Sequence, residues 1–335
     1  MSVGSLSLTA YFLVGAPEPM PPALPKGETS SRLRLKQPNN RNLLEPITRM
    51  SQHAMKTAFV TGAASGIGEG LVNKLQQEGW RVFAGYRSTD PTLSSWYGKE
   101  NIYPLQCDVT DPQHINHARD VIARENHEQL DLLINNAAYA GNSGVIEAAD
   151  LDDYRKTFEA NFWAPLQMCK TLMPLLRNAQ GRIINTTSAS VYLTIPMGSS
   201  YPVSKSALKS LTLHLRMEMA PFGVEVTSLE PGGVETPMTE LGPDVSDKQW
   251  HSIPEPLRSE YRQYFLDGAS AVADNFKLYS PQHFADQVYQ KVITAPTLKT
   301  SYLIGPGVAP LPWLHRLLPR QHVQNIWRKM FSAKR

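Results

Sequence analysis

The stretch SSYPVSKSAL, residues 199–208, sets a phenol and an ammonium four positions apart. On a helix, Tyr201 and Lys205 share one face, one turn apart. Pro202 suits the first turn of such a helix, where no amide donor is needed. The chemistry open to the pair is proton exchange with a carbonyl or an alcohol. A free phenol ionises near pH 10, so bringing its ionisation to neutrality takes about 4 kcal/mol at roughly 1.4 kcal/mol per pH unit. An ammonium about 5 Å away contributes on the order of 3 kcal/mol at an effective dielectric of 20. Taken alone, such a pair is more often two surface side chains on an amphipathic helix. Ser188, thirteen residues earlier at the end of the apolar run RIINTTS, adds a hydroxyl able to hydrogen-bond a substrate oxygen.

The elements that must position these groups read as strands alternating with helices from Lys56 onward. TAFVTG, RVFAGY, IYPLQCD, LLINNA, RIINTTS and VEVTSLEPG are short, nearly continuous apolar runs, as parallel strands buried on both faces require. Between them, residues 66–78, 111–126, about 150–178 and 201–220 carry apolar positions at i, i+3, i+4 spacing. Right-handed crossovers turn this alternation into an α/β fold: one doubly wound, mostly parallel sheet with helices on both faces, a Rossmann-type single domain. Ligands bind beyond the carboxyl ends of the strands in such a sheet, and Ser188 stands at one of those ends.

TGAASGIGEG, residues 61–70, joins the first strand to the first helix. Gly62, Gly66 and Gly68 allow a tight turn, close approach of backbone to a pyrophosphate and close helix packing, with the helix N-terminus facing the phosphates. Without its flanking strand and helix the same turn would be merely structural. At the end of the second strand, where sheets that prefer NAD place an acid, stand Tyr86 and Arg87. With no carboxylate to repel a 2′-phosphate and a guanidinium able to grip one, the expected cofactor is NADP, with NAD left open. The bland alternative for Arg87 is a solvated loop arginine.

Composition excludes other classes. The 335 residues carry a net charge of +3, and no basic run is interleaved with aromatics in the way single-strand binders require, so no nucleic-acid partner is expected. Cys107 and Cys169 are the two cysteines, which removes a disulfide framework and fits a reducing interior, so the expected location is cytoplasmic. The nine histidines include no HExxH motif, and no metal is expected. No apolar run approaches the roughly 20 residues of a membrane span. Residues 1–54 hold seven of the 26 prolines and read as a disordered extension. That extension is either a targeting segment or upstream sequence before a start at Met55, where MKTAFVTG enters a strand at once.

TG(x)3GIG, NNA at 135–137, the paired Ser188 and YxxxK, and PGGVET at 231–236 occur together and in order. From residue 56 to about 305 the chain resembles the short-chain dehydrogenase/reductase family. The resemblance implies hydride transfer between nicotinamide and a carbonyl or secondary alcohol. It implies that Tyr201 is the general acid/base, that Lys205 lowers its pKa and bonds the nicotinamide ribose, that Ser188 steadies the substrate oxygen, and that Asn161 supports a water-mediated relay behind Lys205. For the cofactor it implies Gly62, Ser65, Gly66, Ile67 and Gly68 in the first turn, with Arg87 after the second strand. Asp108 and Val109 follow the third strand, Asn135 and Ala137 the fourth, and Pro231, Gly232 and Thr236 hold the carboxamide. Asp108 has a second reading, as a helix cap preceding Thr110. Ala138 departs from the family's usual glycine and is expected to crowd the cofactor loop slightly. Family members often assemble through long helices, which implies a homo-oligomer.

Substrate contacts are expected where the chain varies around the strand ends: Val191 and Leu193 after Ser188, and Trp250 in the long segment 237–280, which reads as a lid. Such walls favour an apolar carbonyl or alcohol. Residues 309–335 form a basic tail with no acid after Asp286. Leu314, Leu317, Leu318, Ile326, Trp327, Met330 and Phe331 could pack on the domain or, beside Arg316, Arg320, Arg328 and Lys329, give a weak peripheral contact with an acidic membrane surface. Tail and lid together resemble retinol and hydroxysteroid dehydrogenases, which implies a steroid, retinoid or similar lipid. A non-catalytic nucleotide-sensing protein on the same fold would go with loss of the tyrosine or lysine, and both are present.

Overall fold

The computed structural model describes residues 55–141, 144–194, 198–239, 253–262 and 277–331. Seven strands form one sheet: β1 (Thr57–Thr61), β2 (Arg81–Tyr86), β3 (Ile102–Gln106), β4 (Leu132–Asn135), β5 (Arg182–Thr186), β6 (Glu225–Pro231) and β7 (Ser301–Ile304). Their order is β3-β2-β1-β4-β5-β6-β7, and every pair is parallel. The order reverses between β1 and β4, which opens the crevice where doubly wound sheets hold ligands.

The near-continuous apolar strands follow from burial on both faces. Ala58 and Val60 of β1 and Leu132 and Ile134 of β4 face a layer containing Leu71, Leu75, Phe284 and Val288. The alternate residues Phe59 and Leu133 face Ile115, Ile122, Met168, Leu172 and Leu176. The first layer is carried by α1 (Gly66–Gln77) and α6 (Pro281–Val288), the second by α2 (Pro112–Glu125) and α4 (Ala164–Ala179). β3 lies at an edge, which is why Pro104 is tolerated within it.

Three features differ from the expected pattern. The helix read across about 150–178 is α3 (Leu151–Phe158) and α4, joined by a π-helical turn, Glu159–Trp163, that inserts one extra residue into the coil. β7 and α6 were not read as elements, since SYLI and PQHFADQV are too short to show a period against their polar flanks. The carboxyl end is two helices, α7 (Leu311–Leu317) and α8 (Arg320–Phe331), whose Val323 and Trp327 are 3% and 5% exposed and pack with Leu193, Leu311, Leu314 and Ile326. The apolar face assigned to the tail therefore needs correction: Val323 belongs to it, whereas Leu317 is 71% exposed and Met330 46%. A helix buries what its neighbour offers room for, and here that neighbour is the turn after β5.

Among the described residues no helix is long and apolar enough to cross a membrane, and no group of three His, Cys, Asp or Glu side chains could hold a metal ion. Most of the expected lid, with Trp250, lies outside the described residues; its far end is anchored where Tyr279 exchanges backbone bonds with Gly233 and Glu235.

Candidate active site

The turn from β1 into α1 is built for close approach. Gly62 has φ +65° and Gly66 φ +55°, conformations that side chains strain. A Cβ on Gly68 would lie 2.0 Å from the Gly62 carbonyl oxygen, and one on Gly62 would lie 2.9 Å from the Ala137 Cα. Thr236, from the segment after β6, closes over Gly66 with its methyl 2.8 Å from where a Cβ would stand. Ser65 occupies the N-cap of α1, is exposed and makes no side-chain cap bond, so its hydroxyl does not compete for the first-turn amides. Ile67 packs on the core beneath. These residues fit a pyrophosphate: a positive helix end, bare backbone and a covering loop.

Residues that sequence reasoning passed over hold the turn in place. Trp96 is fully buried and donates its indole N–H to the Ala63 carbonyl at 2.7 Å, while Ser94 bonds the Ala64 carbonyl at 3.1 Å. A lone tryptophan in a polar stretch was the only available signal. Arg87 is exposed just past β2. Asp108 sits at the neighbouring end of β3; burial tends to raise its carboxyl, but the Thr110 backbone and hydroxyl bonds, with Arg87 and His114, bring it below the usual carboxylate range. The Asp108 carboxylate accepts from the Thr110 amide at 2.9 Å and hydroxyl at 2.8 Å in a turn before the helix; the helix cap itself is Asp111, so the helix-cap reading of Asp108 is corrected. Val109 packs inward on the second layer.

Asn135 turns its side chain into the sheet. Its amide donates to Asn185 at 2.8 Å and to the Cys169 sulfur at 3.4 Å, with 3% of the residue exposed. The next two residues of this loop, Asn136 and Ala137, donate their backbone amides to the Thr61 hydroxyl, both at 3.0 Å, tying the loop to the end of β1. Pro231 ends β6 in a buried position, and the Gly232 amide bonds Ile304 of β7 at 2.8 Å, which aims the segment toward Thr236.

At the end of β5, Ser188 leaves the sheet in extended conformation and caps a short 3-10 turn, Ala189–Tyr192, by accepting the Ser190 amide at 3.0 Å. Tyr201 lies in the first turn of α5 (Ser200–Met219), half-buried and near enough to Ser188 for that hydroxyl to favour its ionised form. Lys205 is 1% exposed, its Nζ 5.7 Å from the Tyr201 ring centre and donating to the Thr186 carbonyl at 2.8 Å. The three groups expected together are together.

Their electrostatics correct one expectation. Burial pushes the Tyr201 phenol up to about 12, against a lowering effect of the Ser188 hydroxyl. Burial also pulls the Lys205 ammonium down to about 7. The lysine was expected to make the phenol acidic; in this protein desolvation governs both groups, raising the phenol and drawing the ammonium toward its neutral form near neutrality. Tyr201 thus stands protonated, as an acid does before it gives up a proton.

Asn161 is fully buried in the π-helical turn and is a clamp. It accepts the Tyr139 amide at 2.8 Å and donates to the Tyr139 carbonyl at 2.9 Å and to Ser204 at 3.0 Å, while Ser204 donates to the Tyr201 carbonyl at 2.7 Å. Its side chain thus reaches α5 at Ser204, where a place behind Lys205 was expected. Val191 is half-buried in the 3-10 turn. Leu193, expected on the substrate wall, packs against Val323 and Trp327 of α8 together with Leu311 and Leu314. Both cysteines are buried, and burial first of all pushes each thiol up to about 12, which removes them as nucleophiles.

A bare glycine turn and a covering loop beside a Ser–Tyr–Lys set, all at the carboxyl ends of one parallel sheet, define an oxidoreductase on a dinucleotide-binding fold. The sequence profile described as short chain dehydrogenase matches residues 56–244. Mouse retinol dehydrogenase 5 is 34% identical over 213 residues, 62% of this chain and 67% of that protein. The NADPH-dependent 1-acyldihydroxyacetone phosphate reductase of Schizosaccharomyces pombe is 30% identical over 259 residues, 77% of this chain and 84% of that protein. A short chain dehydrogenase from Burkholderia cenocepacia, solved in complex with NADP, shares the fold with a TM-score of 0.63 at 24% identity, covering 82% of this chain and 97% of that one. The chain belongs to the short-chain dehydrogenase family.

Proposed function

We propose that this protein is an NADP(H)-dependent reductase or dehydrogenase that moves hydride between nicotinamide and an apolar carbonyl compound or secondary alcohol. The observation that carries the reading is the convergence of Ser188, at the end of β5, with Tyr201, at the head of α5, and with Lys205 buried beside the phenol ring. The phenol donates its proton to the carbonyl oxygen as that oxygen gains charge, and Ser188 holds the same oxygen in line. Bound nicotinamide would supply or accept the hydride. Lys205, anchored on Thr186, fixes the head of α5 against β5 and supplies positive charge in its protonated fraction. Gly62, Gly66, Gly68 and Thr236 would hold the pyrophosphate and the adjoining carboxamide.

Arg87 and the missing acid after β2 support NADP over NAD, and the fission-yeast relative is named for NADPH. An apolar substrate is supported by relatives named retinol dehydrogenase 5 and estradiol 17-beta-dehydrogenase 2, both from mouse. The test follows NADPH absorbance against ketones and aldehydes graded by size and polarity. Bulky apolar compounds should give the highest kcat/KM, and Arg87→Ala should weaken NADPH about tenfold while leaving NADH unchanged, one charge-assisted phosphate contact being worth roughly 1.5–3 kcal/mol. Exclusive use of small polar carbonyls, or tighter binding of NADH by the wild type, would overturn the respective half of the proposal.

The outer face of α7 and α8 supports a peripheral membrane contact. Trp313 is 58% exposed and Leu317 71%, beside the exposed cations Arg316, Arg320, Arg328 and Lys329. Four such cations contribute about 1 kcal/mol each near an anionic surface. The protein should sediment with phosphatidylserine vesicles at low salt and release at high salt; sedimentation that ignores lipid charge would remove this contact.

A further inference from the structure

One turn further along α5 from the reacting pair lies a second polar cluster. Glu230 of β6 is 0% exposed and stands just before the Pro231–Gly232 turn. Lys209 approaches its Oε1 at 2.8 Å, and the Tyr192 hydroxyl donates to its Oε2 at 2.8 Å. Lys209 also donates to the Tyr192 hydroxyl at 2.6 Å, with its Nζ 4.2 Å from the centre of that ring. Three side chains from β6, α5 and the turn after Ser188 thus close a triangle. From outside, His315 of α7 meets the Tyr192 carbonyl oxygen at 2.7 Å.

The spacing gives the cluster its meaning. Lys209 follows Lys205 by four residues on α5, and Tyr192 follows Ser188 by four along the turn. Fixing Tyr192 on Lys209 therefore fixes the distance between the Ser188 turn and the head of α5. A carboxylate taken fully out of water costs several kcal/mol unless it is paired and bonded, and replacing such a pair by apolar groups often loses no stability. What the pair adds is direction: each bond here accepts one geometry. Burial, and then the Glu230 carboxylate, push the Tyr192 phenol upward, so it stays a donor.

We propose that Glu230, Lys209 and Tyr192 are positioning residues that lock the Ser188 turn onto α5 and so hold the Ser188 hydroxyl in place beside Tyr201. The consequence for turnover rests on the reading of Ser188 and Tyr201 as the reacting pair; the locking itself does not.

The test measures hydrogen exchange over residues 188–194, kcat and NADPH affinity on the full chain, for wild type, Tyr192→Phe and the double variant Lys209→Met/Glu230→Gln. Tyr192→Phe keeps the ion pair, and the double variant leaves no charge stranded, so each should fold. Exchange in the turn should quicken about tenfold, the loss of one or two bonds of roughly 1 kcal/mol each. The same variants should lose about tenfold in kcat for Tyr192→Phe and more for the double variant, with NADPH affinity unchanged. A merely structural role would lower thermal stability and NADPH affinity together and leave kcat of the folded fraction intact. Wild-type exchange in both variants overturns the proposal, and so does faster exchange with wild-type kcat. If exchange quickens in a protein whose wild type reduces no ketone or aldehyde, the lock stands and the reading of the reacting pair is what falls.

Discussion

Tyr201→Phe is expected to lower turnover by about three orders of magnitude, within the 10²–10⁴ range for loss of a positioned acid, while the protein folds and binds NADPH as before. The fold survives because the phenol is not a structural bond. Its ring stays, and Ser188 keeps the Ser190 amide. Removing the hydroxyl costs about 1 kcal/mol at most, which relief from burying a polar group partly offsets. The pH dependence supplies an independent check. With the phenol pushed up to about 12, the proton needed for reduction stays in place through neutrality, so Tyr201 should add no inflection to the reductive rate from about pH 6 to 9, and a break near 7 would report Lys205. Oxidation needs the phenolate and should rise about tenfold per pH unit over the same range, a slope that the phenylalanine variant should lose. Steady-state rates in both directions measure this, and activity within tenfold of wild type in the variant would remove Tyr201 from the chemistry.

The second large effect concerns Lys205, where stability and activity should move in opposite directions. Burial lowers this lysine from 10.5 to about 7. Between those two values the unfolded chain holds a proton that the native protein has released, so native stability rises with pH across the window. Below about pH 7 both states are charged and the full penalty is present, about 5 kcal/mol at roughly 1.4 kcal/mol per unit. Near pH 10.5 it has vanished. Lys205→Met should therefore stabilise the protein at pH 6 by a few kcal/mol, less the roughly 1–3 kcal/mol for the Thr186 carbonyl that loses its partner. At pH 10 only that loss remains, and the variant should be the less stable protein. Turnover should fall about a hundredfold or more at every pH, since α5 loses its tie to β5 beside the phenol. Urea unfolding at the two pH values reads the crossover. A wild-type stability that does not change from pH 7 to 10 would mean the ammonium is not desolvated as the structure places it.

How much of this was legible beforehand depends on whether the signal lies within one element or between several. Six strands were read from nearly continuous apolar runs, which burial on both faces favours in the inner strands, while β3, at the edge, is exposed at Tyr103, Pro104 and Gln106. β7 could not be read, since SYLI becomes a strand only through pairing with β6. The π-helical turn at Glu159–Trp163 likewise leaves no local mark, yet it turns Asn161 inward onto Tyr139 and Ser204.

The sequence by itself determined the order of strands and helices, the glycine turn, and the presence of a serine, a tyrosine and a lysine at spacings that a strand end and one helix turn bring together. Local periodicity and the small size of glycine fix those things within a few residues of chain. The tertiary structure decided what their charges do. A spacing of four sets a distance, but the protonation of Tyr201 and Lys205 depends on how much water the packed sheet excludes and on the Thr186 carbonyl, a bond across nineteen residues. It also decided that Leu193 meets α7 and α8 and that Glu230, Lys209 and Tyr192 converge, because those neighbours come from segments far apart in the chain.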